Sequence, residues 1–96
     1  MNAPTYSVVT TAHFDRLMKK LAPKHPELLG RFEEALAILA ADPYNKSRKF
    51  AIKKLEGISP SEGQYRLRSG RFRFRYEVAD RDVVLPNCGL RREEMD

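Results

Sequence analysis

The sequence predicts an α+β fold in which a two-helix hairpin packs on a small, mostly antiparallel twisted sheet of about four strands. Apolar residues recur with helical spacing through the first half of the chain, which indicates two amphipathic helices. Between Tyr65 and Val78, apolar and charged residues alternate on both sides of Ser69-Gly70, which is the pattern of a β-hairpin. No repeat or linker divides the sequence, so we expect a single domain over residues 1–96 with one modest core.

The first half of the chain predicts a strand and then the two helices. Tyr6 to Thr10 is rich in aromatic and β-branched residues, which favour a strand. Thr10 or Thr11 can cap a first helix that ends at Ala22-Pro23. A second helix is expected from near Pro26 to Asp42-Pro43. The apolar stripes consist of Phe14, Leu17, Met18 and Leu21 in the first helix and Leu28, Leu29, Phe32, Ala35, Leu36 and Leu39 in the second.

The second half of the chain predicts the rest of the sheet. Residues 44–63 have a weaker pattern, and we expect a loop containing a short helical or extended piece. After the hairpin, a turn at residues 80–82 leads into a strand at residues 83–85. Pro86 cannot donate a ladder hydrogen bond, so the chain beyond it is expected to leave or kink the sheet.

The alternation in the hairpin separates charged from apolar side chains. Successive side chains of a strand point to opposite faces. The side chains expected on one exposed face are Arg66, Arg68, Arg71, Arg73 and Arg75, and those expected in the core are Leu67, Phe72, Phe74, Tyr76 and Val78. Like charges on one face repel one another, so an anionic partner is expected there. The partner with the right multiplicity of charge is a nucleic-acid backbone.

The overall charge pattern supports that hypothesis and excludes other classes. The net charge is +5, but residues 46–75 alone carry ten basic and two acidic groups, among them Lys53 and Lys54. A single cysteine, Cys88, excludes an intramolecular disulfide and, with two histidines, leaves no zinc-ligand set. No apolar run is long enough to span a bilayer. We therefore expect a cytoplasmic protein without metal, cofactor or membrane partner.

The order of these segments resembles a known toxin superfamily. A basic I-K-K-L-E-G is followed by Y-R-L-R-S-G-R-F-R-F-R-Y-E-V, an acidic turn, V-V-L and C-G-L-R-R-E. Together with the strand and helix pair before them, these segments are similar to the RelE/ParE superfamily of bacterial toxin–antitoxin modules. The resemblance extends roughly from Tyr6 to Glu94 and favours the RelE-like branch.

The resemblance implies a toxin that a cognate antitoxin, expected to carry an acidic segment, holds inactive. RelE-type toxins enter the ribosome and cleave messenger RNA by attack of a ribose 2′-hydroxyl on the adjacent phosphate. The catalytic arginines implied here are Arg66, Arg73 and Arg91, and the expected phosphate-binding residues are Lys53, Lys54, Arg68, Arg71, Arg75 and Arg92. Guanidinium groups suit this role because they bind phosphate bidentately and stabilise developing negative charge without transferring a proton.

Two other hypotheses remain open at the level of sequence. RelE-type ribonucleases commonly have a tyrosine shortly after the C-terminal arginines, where this chain has Met95 and Asp96, and a lysine where it has Gln64. A non-enzymatic protein of the same fold is therefore the alternative, either a ParE-like gyrase inhibitor or a catalytically impaired toxin that still binds its antitoxin. A generic RNA-binding module is less favoured because no stacking aromatics lie between the outward arginines.

Overall fold

The computed structural model describes residues 6–90, and in this part of the chain two helices cover one face of a five-stranded sheet. The elements in chain order are β1 (Ser7–Thr10), α1 (Ala12–Leu21), α2 (Leu28–Ala41), β2 (Ile52–Lys54), a 3₁₀ turn (Pro60–Glu62), β3 (Tyr65–Ser69), β4 (Phe72–Ala79) and β5 (Asp82–Leu90). The strand order is β1-β5-β4-β3-β2, with β1 parallel to β5 and every other pair antiparallel. The predicted α+β class and mostly antiparallel sheet are confirmed.

The helices begin and end close to the residues that the sequence indicates. Thr11 is the N-cap of α1, and its hydroxyl accepts a hydrogen bond of 3.1 Å from the backbone N–H of Phe14. The helix ends at Leu21, with Ala22 as its C-cap just before Pro23. Within residues 6–90, neither helix is long and apolar enough to cross a membrane.

The core lies between the helices and the apolar face of β3, β4 and β5. The Phe74 ring packs against Phe14 from α1 and Phe32 from α2, with ring centroids 6.4 and 6.0 Å away. The other core residues are almost completely buried, namely Leu28, Ala35, Leu39, Leu67, Phe72, Tyr76, Val83, Leu85 and Cys88. The inward parity predicted for the hairpin is therefore correct, because Leu67, Phe72, Phe74 and Tyr76 all face the helices, and Val78, which is half-buried, packs against the same core.

Tyr76 also anchors the segment that follows α2. Its buried hydroxyl donates a 2.6 Å hydrogen bond to the carbonyl oxygen of Pro43. Burial raises the pKa of Tyr76 far above its ordinary value, so the phenol remains a neutral donor throughout the physiological range. The Asp42-Pro43 segment that ends α2 is thereby fixed to the middle of the sheet.

At two places in the sheet the structure decides between alternatives that the sequence left open. The fifth strand is β2, a three-residue segment inside the stretch that predicts a loop with a short helical or extended piece, and it pairs with β3. At Pro86 the chain does not leave the sheet, because β5 continues to Leu90, and the alternative expectation of an irregularity at this proline is the correct one. Arg75 pairs with Asn87 and Glu77 with Val84, so the register shifts opposite Pro86. This irregularity accommodates the proline inside a strand.

The loop between β2 and β3 depends on Gly63. This glycine has a φ of +85°, and a Cβ built on it would lie 2.8 Å from the backbone nitrogen of Tyr76 and 3.0 Å from the Cβ of Arg75. Its carbonyl oxygen accepts a 3.3 Å hydrogen bond from Nε of Arg75. The loop therefore lies on the face of β4 opposite the helices, in direct contact with the backbone.

Gly63→Ala is expected to destabilise the fold by about 2–4 kcal/mol, because it adds a methyl group against β4 and forces an L residue into left-handed backbone. Thermal unfolding measures this change, and a domain of this size should lose about 4–8 °C for each kcal/mol. Gly30→Ala is the matched control. Gly30 lies inside α2 with no atom near the new Cβ, so that variant should gain about 0.5–1 kcal/mol. Equal melting temperatures for the two variants would contradict the described packing of the loop.

Candidate nucleic-acid interface

The face of the sheet opposite the helices carries two rows of cationic side chains that run across the strands. Residues paired directly across neighbouring strands lie on the same face with Cβ atoms about 4.5–5.5 Å apart. In the first row Lys53 on β2 pairs with Arg66 on β3, which pairs with Arg75 on β4. In the second row Arg68 on β3 pairs with Arg73 on β4. The face defined by Lys53, Arg66, Arg68, Arg73 and Arg75 is called the cationic face below.

The cationic face is less exposed than the alternation alone predicts. Arg66 and Arg73 are each only 8% exposed, Arg75 is half-buried, and Arg68 is exposed. The expectation of five arginines on an open surface is therefore wrong in this respect. One reason is that β3 and β4 are interior strands. Another is that the 3₁₀ turn of the β2–β3 loop contacts both β4 and β5 on the side where Gly63 meets Arg75.

Burial changes the electrostatics of these side chains. Arg66 and Arg75 face each other directly, as do Arg68 and Arg73, and like charges in such positions destabilise a sheet. Arg66, Arg73 and Arg75 each have an interaction partner, as buried guanidinium groups require. Their fields are stronger in this environment of reduced dielectric constant than they would be in water. The face is therefore suited to holding an anion with several charged oxygens.

Arg71 does not belong to the cationic face, which corrects its predicted position. It lies in the turn between β3 and β4, where strand parity no longer applies. Its guanidinium Nη1 is 3.4 Å from a carboxylate oxygen of Glu27, next to the start of α2. Gly70 of the same turn lies against the Arg31 side chain of α2. The turn thus docks on the helical side of the molecule, and Arg71 forms an exposed ion pair there.

Lys54 is also separated from the cationic face. It pairs with Tyr65 on the helical side of the sheet, and its Nζ lies 5.8 Å from the centroid of the Tyr65 ring. Its predicted neighbour Lys53 does lie on the cationic face, since consecutive strand residues point to opposite sides. The predicted residues Arg91 and Arg92 lie outside the described residues.

Sequence reasoning missed the residues that shape this face and its surroundings. Asn87 and Gly89 of β5 complete the two rows next to Arg75 and Arg73, and Glu77 lies on the same side of β4. Because of Pro86, the sequence does not indicate that β5 continues to Leu90. The signal that could have revealed it is the return of apolar residues at Cys88 and Leu90.

A second group of missed residues organises the basic loop at positions 42–50. The Asp42 carboxylate accepts hydrogen bonds from the backbone N–H groups of Lys46 and Ser47, at 2.8 and 3.1 Å, and a 2.7 Å bond from the Ser47 hydroxyl. The hydroxyl of Ser47 is the main reason why the pKa of Asp42 lies below its usual range. The Asn45 side chain exchanges two hydrogen bonds with the backbone of Phe50, at 2.8 and 3.2 Å. The loop is therefore well ordered by local hydrogen bonds and presents its lysines and arginine to solvent.

The fold and the cationic face together define a small basic protein of the RelE/ParE toxin type. No family model matches the sequence. The chain is 38% identical over 78 residues to a protein of Methanocaldococcus jannaschii that bears the toxin name RelE1, covering 79% of this chain and 82% of the relative. It also superposes with a TM-score of 0.67 on a chain of the archaeal RelE–RelB complex from Pyrococcus horikoshii OT3. That match is 28% identical and covers 94% of this chain and 99% of the other. The chain belongs to the RelE family of toxins from toxin–antitoxin systems.

Because like charges face each other across β3 and β4, a polyanion that bridges them should stabilise the folded protein. We expect tripolyphosphate to raise the melting temperature by several degrees over sodium chloride at equal ionic strength, through preferential binding to the native state. Arg68→Gln should reduce the increase, since Arg68 is the exposed member of the second row. Arg71→Gln is the matched control and should leave the increase unchanged. An increase that depended on Arg71 and not on Arg68 would contradict the assignment of the face.

Proposed function

We propose that the protein is a ribosome-dependent messenger-RNA endonuclease, the toxin of a toxin–antitoxin pair, and that its cationic face binds the RNA at the scissile phosphate. The observation that carries this proposal is the alignment of Arg68 with Arg73 and of Lys53 with Arg66 and Arg75 in a RelE-family fold. The similar proteins both carry the RelE name, which favours this branch over the gyrase-directed one. The site of action is the cytoplasm, where messages are translated.

The chemistry follows from the nature of the groups on this face. Attack of a 2′-hydroxyl on phosphorus breaks the bond to the 5′-oxygen of the next nucleotide. The 2′-hydroxyl loses its proton and the departing 5′-oxygen gains one, so the products are a 2′,3′-cyclic phosphate and a 5′-hydroxyl. Negative charge builds up on the non-bridging oxygens in the transition state, where preorganised guanidinium groups are most effective. Arg66 and Arg73 are assigned this role because they are the most buried cations of the face and therefore the least mobile.

The other cationic residues bind and position the RNA. Arg68 is exposed at the end of the second row and Lys53 lies on the edge strand, so both can contact phosphates on either side of the scissile bond. Arg75 is held by the carbonyl oxygen of Gly63 and supports the first row. Arg91 and Arg92, which follow β5 in the sequence, retain their proposed roles as catalytic and phosphate-binding residues. Arg71 is not part of this proposal, because it is paired with Glu27 on the other side.

The proposed antitoxin neutralises the same face. The similar chain from Pyrococcus horikoshii is part of a RelE–RelB complex, which supports a dedicated protein partner for this chain as well. A segment rich in aspartate and glutamate would satisfy the charge of the face and block access of RNA to it. Complementary charge of this kind also speeds association.

Induced expression in a bacterial host, followed within minutes by mapping of RNA 5′ ends, tests the proposed activity. We expect growth arrest and new ends in register with codons on translated messages. Arg73→Ala should abolish both effects, whereas Arg71→Ala should retain them. Arg73→Lys keeps the charge without bidentate phosphate binding and should cut at least tenfold more slowly.

Two other outcomes of this experiment would contradict the proposed activity. Growth arrest with intact messages would overturn the ribonuclease proposal and indicate a gyrase-directed toxin. Absence of arrest in a protein that purifies folded would indicate a catalytically impaired toxin. Loss of activity in Arg73→Ala indicates a catalytic role for Arg73 only if the Arg73→Ala and Arg73→Lys variants have similar melting temperatures.

A further inference from the structure

The tyrosine side chains gather at one end of the molecule. All four tyrosines of the sequence belong to a continuous series of ring contacts. Tyr6 meets Tyr44 edge to face with centroids 6.4 Å apart, and Tyr44 meets Tyr65 in the same way at 5.8 Å. Tyr65 in turn stacks on the buried ring of Tyr76 at 5.4 Å. This group is called the tyrosine cluster below.

Tyr44 is the member of the cluster that faces solvent. It is 45% exposed, although two neighbouring rings hold it in place. A cavity of about 190 Å³ opens beside it, lined by Tyr6, Ala41, Asp42, Pro43, Tyr44 and Lys46. The hydrogen bond from Tyr76 holds Pro43, one of the lining residues of this cavity, in place. An aromatic ring that is both exposed and immobilised is a preorganised surface for a planar ligand, because little entropy is lost on binding.

Two lysines lie near the exposed ring. Lys46 lines the cavity, and Lys54 lies over the adjacent Tyr65 ring. Arg48 and Lys49, also exposed, extend the positive surface along the same loop. Asp42 is the acidic residue of the cavity lining, and the hydrogen bonds that it accepts from Lys46 and Ser47 engage both of its oxygens. The cavity is therefore suited to a ligand that combines a flat ring with negative charge.

The edge strand β2 connects this site with the cationic face. Lys53 and Lys54 are consecutive residues of β2, and they point to opposite sides of the sheet. β2 is the last strand in the sheet order, so a flexible chain of phosphates can pass around its edge. Lys53 would contact that chain on one side and Lys54 on the other.

We propose that Tyr44, Lys46 and Lys54 form a second nucleotide-binding site, which stacks one base of single-stranded RNA and contacts its phosphate. The inference rests on the proposed function and extends it, because the same RNA would continue around β2 onto the cationic face. A nucleobase is favoured over an acidic peptide, since a peptide carboxylate would use the lysines but not the exposed ring. Stacking of this kind tolerates any base, so the site adds affinity and not sequence preference.

Replacement of Tyr44 by tryptophan provides a direct probe, because the protein contains no tryptophan. Tyr44→Trp keeps an aromatic surface, and its fluorescence should be quenched when a base stacks on it. Leu29→Trp is the matched control. Leu29 is 57% exposed near the start of α2, roughly 18 Å along the helix from its other end. The RNA probe is a short single-stranded 2′-O-methyl oligonucleotide, which cannot be cleaved by attack of a 2′-hydroxyl.

We expect saturable quenching of Tyr44→Trp by the oligonucleotide and none for Leu29→Trp. An abasic oligonucleotide of equal length and polyglutamate should leave both signals unchanged. Tyr44→Ala should bind the oligonucleotide about fivefold or more weakly than the wild type, as loss of one stacked base predicts. In the Tyr44→Trp protein, the further replacements Lys46→Gln and Lys54→Gln should weaken the quenching by the oligonucleotide. The fluorescence of the protein without oligonucleotide should stay the same.

Absence of quenching in a folded Tyr44→Trp protein would show that no base stacks there, whether or not the oligonucleotide binds elsewhere. Quenching by polyglutamate would instead indicate a site for an acidic protein partner. Either result leaves the ribonuclease proposal intact if messages are still cleaved in the expression experiment. Quenching without message cleavage would support the nucleotide site and reject the ribonuclease.

Discussion

Phe74 occupies the position on which the arrangement of the molecule depends. Its ring lies between Phe14 of α1 and Phe32 of α2, and it holds the central strand β4 against both helices. Once β4 is fixed in this register, the side of the sheet to which each of its side chains points is determined. Because Phe72, Phe74 and Tyr76 point to the helices, Arg73 and Arg75 must point away from them. The same packing that forms the core therefore also places the arginines, and a slip of one residue would bury charge and expose the aromatic rings.

The cationic face has a cost that the core must offset. Arginines face arginines across β3 and β4, and two of them are largely removed from water. Repulsion between facing arginines is unfavourable for stability, although Arg66, Arg73 and Arg75 each have an interaction partner. The arrangement is understandable if the face binds a polyanion, because each bound phosphate then relieves repulsion while the sheet keeps the guanidinium groups in place. Guanidinium groups that the sheet holds in place would need less rearrangement to bind phosphate than flexible surface arginines. The basic loop and Lys54 extend the positive surface around the edge strand β2, so the proposed RNA binding need not be confined to one side of the sheet.

The sequence was most informative where periodicity extended over many residues. The helices, the hairpin and the inward parity of Phe72 and Phe74 follow directly from spacing. Local sequence could not decide whether the short piece at β2 is helical or extended, because three residues that pair at an edge carry no period of their own. It also could not predict the true place of Arg71, because the residue belongs to the turn and forms an ion pair with Glu27, 44 positions earlier. The burial of Arg66 and Arg73 depends on neighbouring strands and on a loop that packs by way of Gly63. The proposed site at Tyr44 depends on rings that are distant in sequence, and only the fold brings them together.

The salt dependence of RNA affinity tests most directly whether the aligned cations bind a phosphate backbone. The equilibrium constant for a non-cleavable single-stranded RNA should be measured at several potassium chloride concentrations. About four phosphate contacts predict a slope of about −3 in a plot of log K against log salt. Arg68→Gln should make the slope less steep by about 0.7, the amount of a single contact to a single strand, whereas Arg71→Gln should not change it. A slope near zero, or one that responds to Arg71 and not to Arg68, would contradict the view that the cationic face holds the RNA.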